Sequence, residues 1–351
     1  MCWYGFTVKL AIFLPSLETG GLASLALELG GAAQLKGMKV KVVTLYTSTP
    51  EAATNLEINS LKVPSPQVGY FKPVVAFIRL LRAYSLLSKY QPDKIICLDP
   101  SSAFLCLLVK LRFRKLRVAV GCYTPPNLLT RSDKFIIKGF YHFASLVVAP
   151  SISTGQSLKT MNKRIYLRII DNPFTSASSA CFNGKEQIGK KWDCLYLGRL
   201  SEEKGVRQIL SIAESAPDLK FCIAGDGIER KYLEDSILKR NIRNVELAGW
   251  QLPSVCLPLS RVLLLPSKHE TFGIVIIESW LHGVPVVVFE GADGPRELLE
   301  SMHGGGLVKD YGNDSEWIAR IREQLLNPLS DDFMNQTLQR FSGFEVIEAW
   351  L

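Results

Sequence analysis

The sequence predicts an α/β protein made of two doubly wound parallel-sheet (Rossmann-like) domains facing each other across a cleft. Three observations predict it. Short β-rich apolar runs alternate with longer helical patterns along nearly all of the 351 residues. The alternation breaks once, at a polar seam, and the charge balance changes sign at that seam. Alternating strands and helices mean βαβ units and a parallel sheet, and a chain of this length can fill two cores.

In the first half, strands are expected near residues 8–13, 40–45, 94–97, 118–121 and 146–149, with helical patterns at about 22–35, 73–90, 101–111 and 132–143. The second half repeats the scheme with strands near 194–198, 220–224, 245–248, 262–265 and 285–289. The seam is "NPFTSASSACFNGKEQIGKK" at 172–191, rich in Ser, Gly and polar residues and without periodicity. The expected division is therefore 1–175 and 176–330, with a helical segment at 331–351 packing back towards the first domain. Ligands in such sheets bind beyond the carboxyl ends of the strands.

Composition excludes several classes. At 47% hydrophobic and 21% charged the chain is globular. No apolar run reaches the roughly 18 residues of a membrane span, because Lys9, Pro15, Glu18 and Lys110 break the longest candidates. The start "MCWYGFTVKLAIFLPS" lacks the basic region and cleavage site of a signal peptide and reads as a first buried strand, so a cytoplasmic location is expected. Eight cysteines contain no Cys-x-x-Cys pair, and no two of the four histidines lie within four residues of each other. They read as reduced core thiols, not as a disulfide frame or zinc site.

Residues 1–175 hold 22 Lys+Arg against 8 Asp+Glu, whereas 176–351 hold 19 against 25. So basic a first half should attract an anionic surface. No recognised nucleic-acid module occurs, which leaves acidic lipid headgroups as the expected partner and no nucleic acid. Two stretches could lie on an anionic bilayer, or form a solvated basic face. One is "KPVVAFIRLLRAYSLLSKY", with Lys72, Arg79, Arg82 and Lys89; the other is "KLRFRKLR", with five cations in 110–117.

Four stretches carry chemistry. In "SLETGGLASLALELG", Gly20 and Gly21 precede a helix and let backbone amides approach a phosphate or sugar, or simply make a tight turn. The G-x-G-x-x-G pattern is not present there, which argues against a dehydrogenase. "YLGRLSEEKGVRQIL" places Arg199 directly after a strand and Lys204 just before a helix, as an anion clamp or as solvated surface. In "FCIAGDGIERKYLE", Gly225 and Gly227 permit close approach of a ligand or form a turn.

The fourth stretch is "HETFGIVIIESWLHGVPVVVFE". Glu270 lies in the loop after strand 262–265, and the helix is expected to begin near Thr271 and Phe272. Its apolar run through Ile277, followed by Trp280 and Leu281, leaves no clear polar face, so the helix should be buried. Glu278 within it needs a partner. The two carboxylates would be up to about 12 Å apart along the axis, the reach of a sugar–diphosphate–ribose unit laid over helix-start amides that carry roughly +0.5 charge. Vicinal hydroxyls of such a ligand are suitable partners; a structural ion pair for Glu278 is the alternative.

Taken in order, "ETGGLASLALELG", "IIDNPF", "GRLSEEKG", "AGDG", the Glu-x7-Glu pair 270/278, "GVPVV" and "GPRELL" resemble the family 4 retaining glycosyltransferases of the GT-B fold, among them bacterial lipopolysaccharide and cell-surface polysaccharide enzymes. The resemblance implies transfer of a hexose-type sugar from a nucleotide-diphosphate sugar, UDP favoured over GDP, to a lipid-linked or lipopolysaccharide-type acceptor. It implies that Glu270 contacts the transferred sugar, Glu278 the ribose hydroxyls, and Arg199 and Lys204 the diphosphate. The backbone of Thr271, Phe272, Gly273 and Ile274 would lie against phosphate and sugar, with Gly20, Gly21 and Gly225 completing the donor site. Residues 1–175 would then bind the acceptor and 176–330 the nucleotide sugar, at the inner face of the cell membrane.

Retention in the family is ascribed to same-face attack without an agreed protein nucleophile. No Asp-x-Asp motif occurs in the chain, so no metal or other cofactor is expected, and the leaving diphosphate would depend on Arg199, Lys204 and the helix end. One departure stands out. Many relatives carry a histidine in the loop after the strand that here ends at Gly121; this chain reads "GCYTPPN", with Cys122 and Tyr123 in its place. Neither replaces an imidazole near neutral pH, and His142 and His303 are distant in sequence. Two rivals follow: a GT-B nucleotide-sugar epimerase or hydrolase, and a catalytically silent GT-B partner subunit.

Overall fold

The computed structural model describes residues 8–17, 21–46, 55–63, 72–174 and 189–351. They fall into two compact units, 1–175 with 342–351, and 176–341. Gly20 lies outside the described residues, as does most of the polar seam.

Unit 1 is built on a seven-stranded sheet of β1 (Lys9–Leu14), β2 (Lys39–Tyr46), β3 (Glu57–Val63), β4 (Lys94–Cys97), β5 (Arg117–Gly121), β6 (Leu146–Ala149) and β7 (Leu167–Ile169). Every pairing is parallel and the order is β3-β2-β1-β4-β5-β6-β7. Central strands are apolar at consecutive positions because both faces are covered. Ala11, Phe13, Ile95 and Val118 pack into one core beneath the helices Lys72–Tyr90 and Pro100–Lys110. The alternate residues Leu10, Ile12, Ile96 and Ala119 pack into the other, with the helices Gly21–Leu35 and Gly343–Trp350.

Unit 2 holds six parallel strands: β8 (Trp192–Leu197), β9 (Phe221–Ala224), β10 (Val245–Gly249), β11 (Ser260–Leu265), β12 (Val286–Phe289) and β13 (Gly305–Val308), ordered β10-β9-β8-β11-β12-β13. This is the doubly wound order 3-2-1-4-5-6. Its core on one face gathers Tyr196, Ile209, Leu210, Phe221, Leu264 and Trp317.

Three strands escape the sequence reading. β3 and β7 are sheet edges, where polar and half-exposed positions interrupt the apolar run. β13 begins with two glycines, which read as a turn; a Cβ on Gly305 would stand 2.0 Å from the Val286 carbonyl oxygen, so the glycine serves close strand approach. Within 331–351 the two helices fall in different units. The helix Asp331–Arg340 belongs to unit 2, and only Gly343–Trp350 joins unit 1, where Val346, Ile347 and Trp350 are buried in its core.

Cys97, Cys106, Cys122, Cys194, Cys222 and Cys256 are buried free thiols. Among the described residues no helix is long and apolar enough to cross a membrane.

Candidate active site

In unit 2 the chain leaves β8 towards β9 and β10, then returns to the other side of β8 as β11. In a sheet of this order the loops that follow β8 and β11, at the carboxyl edge, are where ligands bind. Those loops are 198–205 and 266–273. They carry Arg199, Lys204 and Glu270.

The loops are tied together by backbone. Lys268 N–H donates to the Glu203 carbonyl at 3.1 Å. Gly205 has φ +69°, and a Cβ there would lie 2.0 Å from the Pro266 carbonyl oxygen and 2.5 Å from the Tyr311 hydroxyl. Only a glycine fits. It closes the short 3₁₀ turn Glu202–Lys204 and opens the helix Val206–Ser215.

That junction delivers Lys204 to Glu270, with Nζ 2.5 Å from Oε2 and the two side chains 24% and 18% exposed. Glu270 is also held through its backbone. Its carbonyl accepts from Gly294 N–H at 3.2 Å, at the start of the helix Asp293–Met302, and a Cβ on Gly294 would meet the Thr271 carbonyl oxygen at 2.2 Å. Tyr196 lies beneath. Its hydroxyl donates to the Arg199 carbonyl at 2.7 Å, and burial, then the Glu270 charge, raise its pKa, so it stays a protonated donor.

The two cations do not share a partner. Arg199 is 66% exposed and pairs with Glu203, Nη2 to Oε1, at 2.8 Å. Each has its own carboxylate.

Gly225 and Gly227 serve loop packing. A Cβ on Gly225 (φ +147°) would stand 1.9 Å from the Gly198 carbonyl oxygen, and one on Gly227 would stand 2.3 Å from that of Leu200. Leu200 N–H in turn donates to the Asp226 carbonyl at 2.9 Å. The space that the sequence reading offered to a ligand at these two positions is filled by the chain that carries Arg199.

The glutamate helix differs from expectation in two respects. It runs Ile274–Leu281 and starts after Gly273, whose left-handed φ of +87° ends the loop; Thr271 and Phe272 are buried before it, with Phe272 edge-on to Phe341. Nor is it buried all round. Ile276, Ile277, Trp280 and Leu281 are buried, while Ile274, Val275 and Glu278 form a partly exposed stripe at helical spacing. Glu278 therefore sits one turn into the helix, about 6 Å along its axis from Ile274. Full burial of its carboxylate does not arise. The Ile274 and Val275 amides lie where an α-helix has no intrahelical acceptors.

Residues 19–174 match the family profile described as Glycosyltransferase Family 4, and residues 182–340 match that of Glycosyl transferases group 1. The chain belongs to the family 4 glycosyltransferases. The chain is 31% identical over 191 residues to the 2-deoxystreptamine N-acetyl-D-glucosaminyltransferase of Niallia circulans, covering 52% of this chain and 46% of that one. To the lipopolysaccharide core biosynthesis glycosyltransferase LpsE of Rhizobium meliloti it is 27% identical over 192 residues, covering 53% and 55%. The chain thus spans about half the length of these two relatives. Its fold is GT-B, matching Anabaena HepE, solved with UDP and glucose, at a TM-score of 0.75 and 17% identity over 97% of this chain and 98% of that one.

In unit 1, Gly21 is the exposed first residue of the helix that follows β1. Cys122 follows β5, fully buried, its thiol pushed up to about 12 by burial, and burial raises the Tyr123 hydroxyl as well. Neither exchanges protons near neutral pH. His142 precedes β6 and His303 precedes β13, so each lies at the amino-terminal edge of its parallel sheet, opposite the loops after the strands. Neither stands in for the family histidine.

Four further side chains escaped the sequence reading. Tyr196 donates to the Arg199 carbonyl, and the Tyr311 hydroxyl lies against Gly205. Ser201 and Ser267, one in each loop, have buried hydroxyls without a hydrogen-bond partner among the described residues. Nothing in the sequence distinguishes them from other loop serines.

Proposed function

We propose that this chain is a retaining glycosyltransferase that moves a hexose-type sugar from a nucleotide-diphosphate sugar, UDP favoured over GDP, to a lipid-linked or lipopolysaccharide-type glycan acceptor. The observation that carries the reading is the Lys204–Glu270 pair between the two loops of the unit 2 switch point. An ammonium and a carboxylate at one place suit a ligand with a diphosphate beside a polyhydroxylated ring. Lys204 then takes the leaving diphosphate and frees Glu270 to accept from the sugar hydroxyls. The Arg199–Glu203 pair is exposed and weak, so the guanidinium is available to the same diphosphate. Ile274 and Val275 amides face the phosphates, and Glu278, one turn further, takes the ribose hydroxyls. LpsE, named for lipopolysaccharide core biosynthesis, and HepE, solved with UDP and glucose, support donor and acceptor class.

The test is product analysis with a panel of nucleotide sugars, with and without glycan acceptor. Transfer with the anomeric configuration kept is the expected result. Free sugar formed equally without acceptor would favour a hydrolase, an isomerised donor would favour an epimerase, and no turnover of any donor would favour a silent subunit.

The leaving-group reading has a consequence for metal. With cations and a helix start at the diphosphate and no Asp-x-Asp motif, activity is expected to survive EDTA and to gain little from added magnesium. Complete loss on chelation, restored by a divalent ion, would contradict the assignment.

The basic first half is proposed to rest on the anionic inner face of the cell membrane. Phe77, Leu81 and Tyr84 form an exposed stripe at helical spacing along Lys72–Tyr90, and the Tyr84 ring lies 5.7 Å from that of Phe113 within the basic segment 110–117. Arg79 and Arg82 are not free for lipid as the sequence reading had them. Arg79 stacks 5.0 Å from the Tyr46 ring, and Arg82 donates to the Leu61 and Lys62 carbonyls, each at 2.7 Å. The lipid cations are then Arg112, Arg114 and Lys115, each contributing roughly 1 kcal/mol near the surface. Flotation on acidic vesicles is expected to be strong at 0.01 M salt, to weaken as the Debye length falls from about 30 Å to about 10 Å at 0.1 M, and to be mostly lost in the triple alanine variant. Equal flotation of variant and wild type would move the contact elsewhere.

A further inference from the structure

A cavity of about 310 Å³ opens in unit 1 at the amino-terminal ends of β4 to β7, beside the end of the helix Gly343–Trp350. Its apolar lining comes from Ile96, Ala119 and Leu146, which belong to the face of the sheet that this helix covers. Trp350 and Tyr166 add aromatic walls. Three cations complete it: Lys94, Arg117 and Arg168.

Their placement is unusual. Lys94 and Arg117 are direct partners in the β4–β5 register, side by side on one face of the sheet. Like charges directly opposite each other destabilise a sheet. Arg168 projects from the same face, as the register partner of Val148. Among the described residues none of the three forms a salt bridge. Lys94 Nζ donates to the Leu351 backbone oxygen at 2.6 Å, and Arg168 Nη1 donates to the Ala349 carbonyl at 3.3 Å. The adjoining Asp93 carboxylate accepts from the Lys9 backbone N–H at 2.8 Å. Burial first, and Arg117 second, hold the Lys94 ammonium below its ordinary range, with Asp93 opposing them. Two adjacent cations, a third across the cavity and an apolar lining describe a receptor for an anion with an apolar body.

We propose that this pocket binds a phosphate-bearing molecule with a small apolar part, the phosphate on Arg117 and Lys94 and the apolar part against Ala119 and Leu146. Arginine suits phosphate because its planar fork donates two parallel hydrogen bonds. The cavity volume lies at the small end of ligand sites, roughly 300–1,000 Å³. Arg117 also ends the basic segment 110–117, so the phosphate could come from a lipid headgroup or from a soluble ester. The site is separate from the unit 2 loops after β8 and β11, and its occupancy does not depend on the transferase reading.

The probe is phenyl phosphate, titrated calorimetrically into the full chain. Binding at one site is expected, with at least a tenfold loss in Arg117→Gln and none measurable for phenol. The Arg117 side chain makes no hydrogen bond or salt bridge among the described residues, and only its backbone N–H donates, to the Asp93 carbonyl at 3.4 Å, so this variant tests recognition without loosening the terminal helix; Arg168→Gln, with a thermal melt as control, is the second variant. Competition by phosphatidic-acid vesicles, with phosphatidylcholine vesicles inert, would support the proposal with a headgroup as the source. Binding untouched by either vesicle would support it with a soluble ester. No binding of phenyl phosphate, or equal binding by wild type and Arg117→Gln, would overturn it and leave the Leu351 end of the chain as what these cations hold.

Discussion

Lys204→Ala is expected to lower kcat by on the order of 10²–10³-fold, the loss that follows when a preorganised charge at a leaving group is removed. The effect should exceed that of an ordinary surface lysine because Lys204 is fixed on both sides. Gly205 locks the turn behind it, and Glu270 holds its ammonium at 2.5 Å. Removing it also leaves a partly buried carboxylate unpaired, which itself destabilises. Lys204→Ala combined with Glu270→Ala separates the two effects: stability should recover in the double variant while turnover should not. Arg199→Ala is expected to fall in the same range of kcat, although its resting partner is Glu203. Near-normal turnover in both single variants would remove the diphosphate assignment.

Gly205→Ala is expected to damage unit 2 strongly. An alanine at φ +69° costs about 1–2 kcal/mol in backbone conformation alone. Its Cβ would also press on the Pro266 carbonyl and the Tyr311 hydroxyl, so the loops after β8 and β11 must move apart. A combined loss of more than about 2 kcal/mol follows, and for a unit of this size that corresponds to a fall in Tm of roughly 5–10 °C. Gly312→Ala is the matched control. Its Cβ would find nothing nearer than Asp310 Oδ1 at 3.9 Å, so its effect should stay within about 0.5 kcal/mol. Scanning calorimetry of both variants checks this, and equal melting temperatures would contradict the loop-lock argument. Turnover of the folded fraction of Gly205→Ala should fall as well, because the turn that aims Lys204 is the turn it disturbs.

What the sequence made legible follows from burial. β1, β4, β6 and β11 are nearly continuous apolar runs because sheets and helices cover both faces, and such runs stand out. β3 and β7 are edges with half-exposed patterns, and β13 hides behind glycines whose role is a close backbone approach. The helix starts later than the sequence pattern places it, because Gly273 turns left-handed and ends the loop. The expectation that the Glu278 helix is buried on every face fails at Ile274 and Val275. They share its partly open stripe.

At the site, the right residues were legible but not their pairing. Lys204 and Glu270 are 66 residues apart, and only the return of β11 to the far side of β8 brings their loops together. By contrast the Arg199–Glu203 pair could have been read from its four-residue spacing across a short turn. Gly225 and Gly227 show the limit of glycine as a signal. Close approach was required there, but the approaching group is the protein's own backbone.

We propose that the loops after β8 and β11 bind a nucleotide-diphosphate sugar through Lys204 and the start of the Ile274–Leu281 helix. The most direct measurement is a calorimetric titration of the full chain with a panel of UDP- and GDP-sugars, repeated with Lys204→Ala and Glu278→Gln. At least one nucleotide sugar should bind the wild type. Lys204→Ala should weaken the intact donor and the free nucleoside diphosphate alike, and Glu278→Gln should weaken every ligand that carries the ribose. Failure of every nucleotide sugar to bind, or affinities unchanged in both variants, would contradict the claim.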